Sequence, residues 1–166
     1  ISAPLLPDSL ESDRKELDGG SLTDLIKNHR GKPSIDTIKQ MGGSDATEKA
    51  IVAAIEWLSK NQEKDGRWDT KQFNAEANYD VGGTGLALLC YYGWGARHDR
   101  QGKYQNNVKK ALSWLINQQN EDGNLAVSGK MYSHAIGTIA LCEAYGITKD
   151  SNIKIAAQKA ISYTIS

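Results

Sequence analysis

The chain has 166 residues, a formal net charge of zero from 20 Lys plus Arg against 20 Asp plus Glu, and 39% apolar residues. That length suits one domain of ordinary size, and the charge balance supplies no field that would steer it to nucleic acid or an anionic bilayer. The longest apolar stretch, Leu86 to Trp94, is well short of the roughly 20 residues that span a membrane, so no transmembrane segment is expected. The chain begins at Ile1 without a basic-then-apolar leader; any targeting segment is expected to have been removed or to lie outside it, and no compartment is assigned.

Residues 1–43 hold all three prolines, two Gly-Gly pairs and many charges, a linker-like composition. One short amphipathic helix is predicted there, Ser21 to His29, with Leu22, Leu25 and Ile26 on one face. From Ser44 the pattern changes. Asp45 followed by Glu48 has the spacing of a capping box, and Ala50, Ile51, Ala54, Trp57 and Leu58 then recur at helical intervals, predicting a helix over 45–61. Gly83 to Tyr92 (GTGLALLCYY) is apolar nearly all round and reads as a helix buried on both sides. Tyr104 to Gln119 is amphipathic through Val108, Leu112 and Leu115, and Ser133 to Tyr145 (SHAIGTIALCEAY) is again apolar. A fifth helix from Ser151 places Ile153, Ala157, Ala160, Ile161 and Thr164 on one face. Cys90 and Cys142 fall within the two apolar helices, far apart and without metal or redox spacing, and are expected to be buried free thiols.

The alternation of amphipathic and apolar helices is an internal repeat. Ala54, Trp57, Leu58, Gln62, Asp65 and Gly66 overlay Ala111, Trp114, Leu115, Gln119, Asp122 and Gly123, while Gly85 to Cys90 overlays Gly137 to Cys142. A third copy begins at Lys159, Ala160 and Ile161 and stops before its Gln and Gly. A period of about fifty residues built from two helices is the signature of stacked helical hairpins. The expected domain is 44–166, with repeat 1 at about 45–95, repeat 2 at about 103–147 and the start of repeat 3 at about 151–166. Gln at the end of the amphipathic helix is expected to bond the orphan carbonyls there or the start of the next helix, and Asp-Gly to make the turn.

Trp57, Leu58, Gln62, Gly66 and Trp68 resemble the QW motif of the terpenoid cyclases and protein prenyltransferases, and Trp114, Gln119 and Gly123 resemble it again, with Leu125 where the last Trp would stand. The resemblance covers about Asp45 to Ser166, and its nearest type is a bacterial squalene-cyclase-like domain. It implies an all-α fold, an incomplete α/α toroid with amphipathic outer helices and buried inner helices. In that family the motif braces the scaffold and leaves the reaction open.

The resemblance also implies where chemistry would sit: on the rim formed by the loops entering the inner helices. Here that rim is Asn78, Tyr79 and Asp80 at the first inner helix and Tyr132, Ser133 and His134 at the second. Squalene-type cyclases protonate an alkene with an Asp-rich DxDD segment, and none is present. Protein prenyltransferases hold zinc with Asp-x-Cys and a later His. Asp80 and His134 are similar to two of those ligands, but Gly82 stands where the thiolate belongs, so no metal is expected.

Asp80 and His134 are therefore the catalytic candidates, against plainer readings of Asp80 as the N-cap of the Gly83 helix and His134 as a packing residue. Glu76 with Asp80 is the only acidic pair at the rim for a sugar-cleaving toroid, Gly82-Gly83-x-Gly85 lacks the strand and Lys of a phosphate loop, and no cofactor is implied. The expectation is a ligand- or partner-binding repeat module of a larger protein, its ligand apolar or isoprenoid-like. The alternatives are a fragment of an isoprenoid enzyme of cyclase or prenyltransferase type, and a carbohydrate-active toroid. Because the third copy stops within its motif, further repeats after Ser166 are expected, or self-association, or cover of one edge by residues 1–43.

Overall fold

A computed structural model describes residues 39, 40, 42–126 and 130–166. The predicted helix at 21–29 and most of the linker-like segment lie outside the described residues. Within them the secondary structure is helical, with no strand: α1 (Asp45–Lys60), a 3-10 turn (Thr70–Phe73), α2 (Asp80–Gly93), α3 (Gln105–Asn117), α4 (Met131–Thr148) and α5 (Ser151–Thr164). No helix among the described residues is long and apolar enough to cross a membrane.

Local chemistry sets the helix starts. The cap of α1 is Ser44, one residue before the expected Asp45, with Thr47 as its partner. Thr47 N donates to Ser44 Oγ at 3.2 Å and Ser44 N to Thr47 Oγ1 at 3.3 Å. Asp45 and Glu48 instead occupy the first turn, where carboxylates favour the exposed N–H groups. Asp150 caps α5, accepting from Asn152 N and Ile153 N. α2 begins three residues earlier than Gly83, at Asp80 itself, so the expected N-cap is the first helical residue and Tyr79 holds the cap position.

The repeat in the sequence is a repeat in space. Gln62 Nε2 donates to Gly66 O at 2.8 Å, closing its own turn, and to Asn107 O at 2.9 Å on α3. Asn107 answers by donating its side-chain amide to Gln62 Oε1 at 2.7 Å. In the second copy Gln119 Nε2 donates to Gly123 O at 3.1 Å and to Ala156 O at 3.0 Å on α5. Both turn glycines have positive φ, 104° at Gly66 and 99° at Gly123. They press against equivalent points of the next helix: a Cβ on Gly66 would lie 2.8 Å from Lys110 Cβ, and one on Gly123 2.7 Å from Lys159 C. α1 and α3 thus each end in a turn that docks on the next amphipathic helix.

One core joins the helices. Leu88 and Tyr91 of α2, Val108, Ala111 and Leu115 of α3, Leu141 of α4 and Ala160 of α5 have no solvent exposure, and Leu125 seals the second turn. Trp68 is buried as well, its ring 6.0 Å from Tyr91 and its Nε1 donating to Leu58 O at 2.9 Å. α2 and α4 make the most extensive helix contact, because Gly82 and Gly85 face Ser133, Ile136 and Gly137 with no side chain between the backbones.

Three expectations about burial change. Trp57 is 48% exposed and leans on Phe73, while Ile55 takes the buried position of α1. The apolar helices are not buried all round: Leu86 and Cys90 of α2 and Met131, Tyr132 and Ile139 of α4 are exposed, since the other helices cover only part of their circumference. Cys90 is therefore an exposed free thiol and Cys142 a partly buried one. On α5, Ile153, Ala157 and Ala160 are buried as the pattern predicts, whereas Ile161 and Thr164 are exposed.

Substituting the turn glycine separates its two roles. Gly66→Ala meets both the positive φ and the α3 backbone and is expected to destabilise by about 2–4 kcal/mol. Gly42→Ala has φ of 87° but open space around it, and should cost only about 1 kcal/mol. Urea unfolding of the two variants checks this, and equal losses would show that docking of the turn on α3 adds nothing.

Candidate functional site

The rim residues divide into a buried set and a surface set. Asp80 is 3% exposed, and both its oxygens are occupied. Arg67 Nη1 donates to Oδ2 at 2.6 Å, and Thr70 donates to Oδ1 from both its backbone N (2.9 Å) and its hydroxyl (2.8 Å). Thr70 Oγ1 also accepts from Tyr79 N at 3.0 Å, and Asp80 N donates to Asn78 Oδ1 at 2.9 Å. The carboxylate thus ties the turn after Trp68 to the first residue of α2. Arg67 supplies the countercharge a buried carboxylate needs, and it sits close to Asp65 and Asp69 as well.

His134 has no solvent exposure. Leu125 N donates to its Nδ1 at 3.1 Å, so the ring proton resides on Nε2, which faces Thr164 Oγ1 at 3.0 Å; that hydroxyl donates onward to Ala160 O at 2.9 Å. The His134 and Tyr163 rings meet edge to face, 4.9 Å between centroids. His134 thus links the second turn, α4 and α5; in the first copy Thr84 ties the turn to α2 by accepting from Trp68 N at 3.1 Å. Burial pushes the His134 pKa below its ordinary value. A second proton would also set an N–H against the N–H of Leu125.

Ser133 is buried against Gly82, and its hydroxyl has no hydrogen-bond partner among the described residues. Tyr132 is 71% exposed, Asn78 and Glu76 are exposed, and Tyr79 is half-buried. Lys130, which the sequence reading did not single out, places its Nζ 3.8 Å from the centre of the Tyr79 ring and so bridges the starts of α2 and α4. Its signal in the sequence is a cation at a helix N-terminus, where the dipole disfavours it unless another partner holds it.

Away from the rim, helical spacing gathers Leu86 and Cys90 on one stripe of α2 and Met131, Ala135, Ile139 and Cys142 on one stripe of α4. At the other end of α2 a cavity of about 150 Å³ opens between Trp94 and Gln105. Its cations are mostly engaged, Arg97 with Asp99 at 2.5 Å and Lys103 with Glu56. Among the described residues no three His, Cys, Asp or Glu side chains group as metal ligands. Compared with known proteins, the chain matches no family model, no curated protein and no solved structure.

The His134 arrangement makes a pH dependence. The folded state binds the proton less well than the unfolded chain, so the contribution of His134 is intact above its unfolded pKa of about 6.5 and is lost as pH falls through the lower folded value. Unfolding free energies measured from pH 7.5 down to 5 should fall more steeply for the wild type than for His134→Asn, which keeps an acceptor near Leu125 N but does not titrate. Parallel curves for the two proteins would remove His134 as the cause.

Proposed function

We propose that the chain is an arc of an α/α toroid of the squalene-cyclase and prenyltransferase type, with α1, α3 and α5 outside and α2 and α4 inside, and that it acts by binding rather than by catalysis. The observation that carries this reading is the exposed apolar stripe of Leu86 and Cys90 on α2 with Met131, Ala135 and Ile139 on α4. Docked in parallel through Gly82, Gly85, Ser133 and Gly137, the two helices turn these stripes to the same side, away from the core shared with the outer helices. A surface of that composition suits an apolar, isoprenoid-like ligand or the apolar face of a partner. The engagement of Asp80 by Arg67 and Thr70, and of His134 by Leu125 and Thr164, supports binding over acid–base chemistry at this rim.

Farnesol and farnesyl diphosphate should raise the melting temperature by a few degrees at saturating concentration, and Leu86→Asp or Ile139→Asp should abolish the shift. Because both positions are exposed, the substitutions alone should change stability by less than about 0.5 kcal/mol. Absence of a shift with either isoprenoid, with stabilisation by an oligosaccharide instead, would replace this reading with the carbohydrate alternative.

A further inference from the structure

The three amphipathic helices are equivalent in sequence but not in cover. On α3, Val108 and Ala111 have no exposure, and the turn of Gln62 and Gly66 lies across this helix at Asn107 and Lys110. On α5 the same positions, Ala157 and Ala160, are buried, and the turn of Gln119 and Gly123 lies across Ala156 and Lys159. On α1 the matching positions are Ile51, 43% exposed, and Ala54, also exposed; where the turn would cross stand Ala50 and Ala53, small and exposed. Yet Ile55, one turn further along α1 from Ile51, is as well buried as its counterpart Leu112. What α1 lacks, compared with α3 and α5, is cover over Ala50, Ile51 and Ala54, the positions that a preceding turn crosses in both other copies.

We propose that this face of α1, centred on Ala50, Ile51 and Ala54, is a docking site for the Gln-and-Gly turn of another repeat of the same kind. The incoming Gln amide donates to the Ala50 carbonyl, as Gln62 does to Asn107 and Gln119 to Ala156. The incoming glycine, with positive φ, closes on the Ala53 backbone, as Gly66 does on Lys110 and Gly123 on Lys159. The surface continues an interface already formed twice within the chain, and Ala at 50, 53 and 54 leaves room for backbone approach. A second copy of this chain is a poor occupant, because both of its turns are engaged on its own α3 and α5. The inference stands on the junction geometry and is independent of what the α2 and α4 stripe binds.

The test extends the full chain with its own repeat, duplicating residues 105–150 in place of Ser44 so that Lys149 and Asp150 lead into α1 as they lead into α5. The extended chain is expected to melt higher than the parent. Ala54→Lys should leave the parent's melting temperature unchanged and lower that of the extended chain by about 4 °C or more, in the range expected for burying a charge at a packed junction. Gln119→Ala in the added copy should lower it as well. An extended chain that melts no higher than the parent, or that tolerates Ala54→Lys as the parent does, overturns the proposal. So does a parent already destabilised by Ala54→Lys, which would mean that residues 1–38 cover the face. Concentration-dependent association of the parent that Ala54→Lys abolishes, seen by light scattering, also overturns it and assigns the face to a second copy.

Discussion

The structure depends on one junction, used twice: a glutamine amide at the end of one helix joins its own turn to the backbone of the next amphipathic helix. The geometry is demanding because the amide must reach two carbonyls at once, Gly66 O and Asn107 O in the first copy, Gly123 O and Ala156 O in the second. A carbonyl oxygen has two lone pairs, so a helical carbonyl can keep its own bond and still accept a second donor. The turn can approach so closely only because glycine sits at positive φ with no Cβ toward the neighbouring helix. Spacing between Gln and Gly is therefore as constrained as their identity, and the same interval recurs in both copies.

The contact between α2 and α4 obeys a related rule. Backbone approach through Gly82, Gly85 and Gly137 removes the side chains that would hold the helices apart, and specificity passes to the few polar groups left at the ends. Thr84 and His134 each accept an N–H from the residue two places after a turn glycine, Trp68 and Leu125 respectively. An isolated backbone N–H in such a place would cost a few kcal/mol. These two polar residues of the apolar helices thus serve the turns, which accounts for a buried threonine and a buried histidine in segments otherwise mostly apolar.

The helices, their order and their repeat were legible because periodicity and self-similarity report burial directly. The junction glutamines and glycines stood out for the same reason, and Ile153, Ala157 and Ala160 lie buried where the pattern put them. What the sequence did not convey was cover from outside a helix. A run such as GTGLALLCYY is apolar all round, and composition alone cannot say that Leu86 and Cys90 face away from the core. Asp80 shows the same limit at a site: its place before an apolar helix suggests a cap, but its partners, Arg67 and Thr70, are set by how the preceding turn folds back. The role of His134 depended on Leu125 N and Thr164, nine and thirty residues away, a coincidence of packing with no local signature.

Comparison among copies separates the causes of apolar exposure. Ile51 and Ala54 on α1 and Ile161 on α5 have buried counterparts on α3, so their exposure reflects the lack of a neighbour on one side among the described residues. Leu86 and Cys90 differ, because they belong to α2, which packs against α1, α3 and α4 and so has neighbours in both chain directions. Their counterparts on α4, Thr138 and Cys142, are also in part exposed. In the arrangement proposed above, this surface is the side of the apolar helices turned away from the amphipathic ones, and repeats stacked in the same manner would lengthen it rather than cover it.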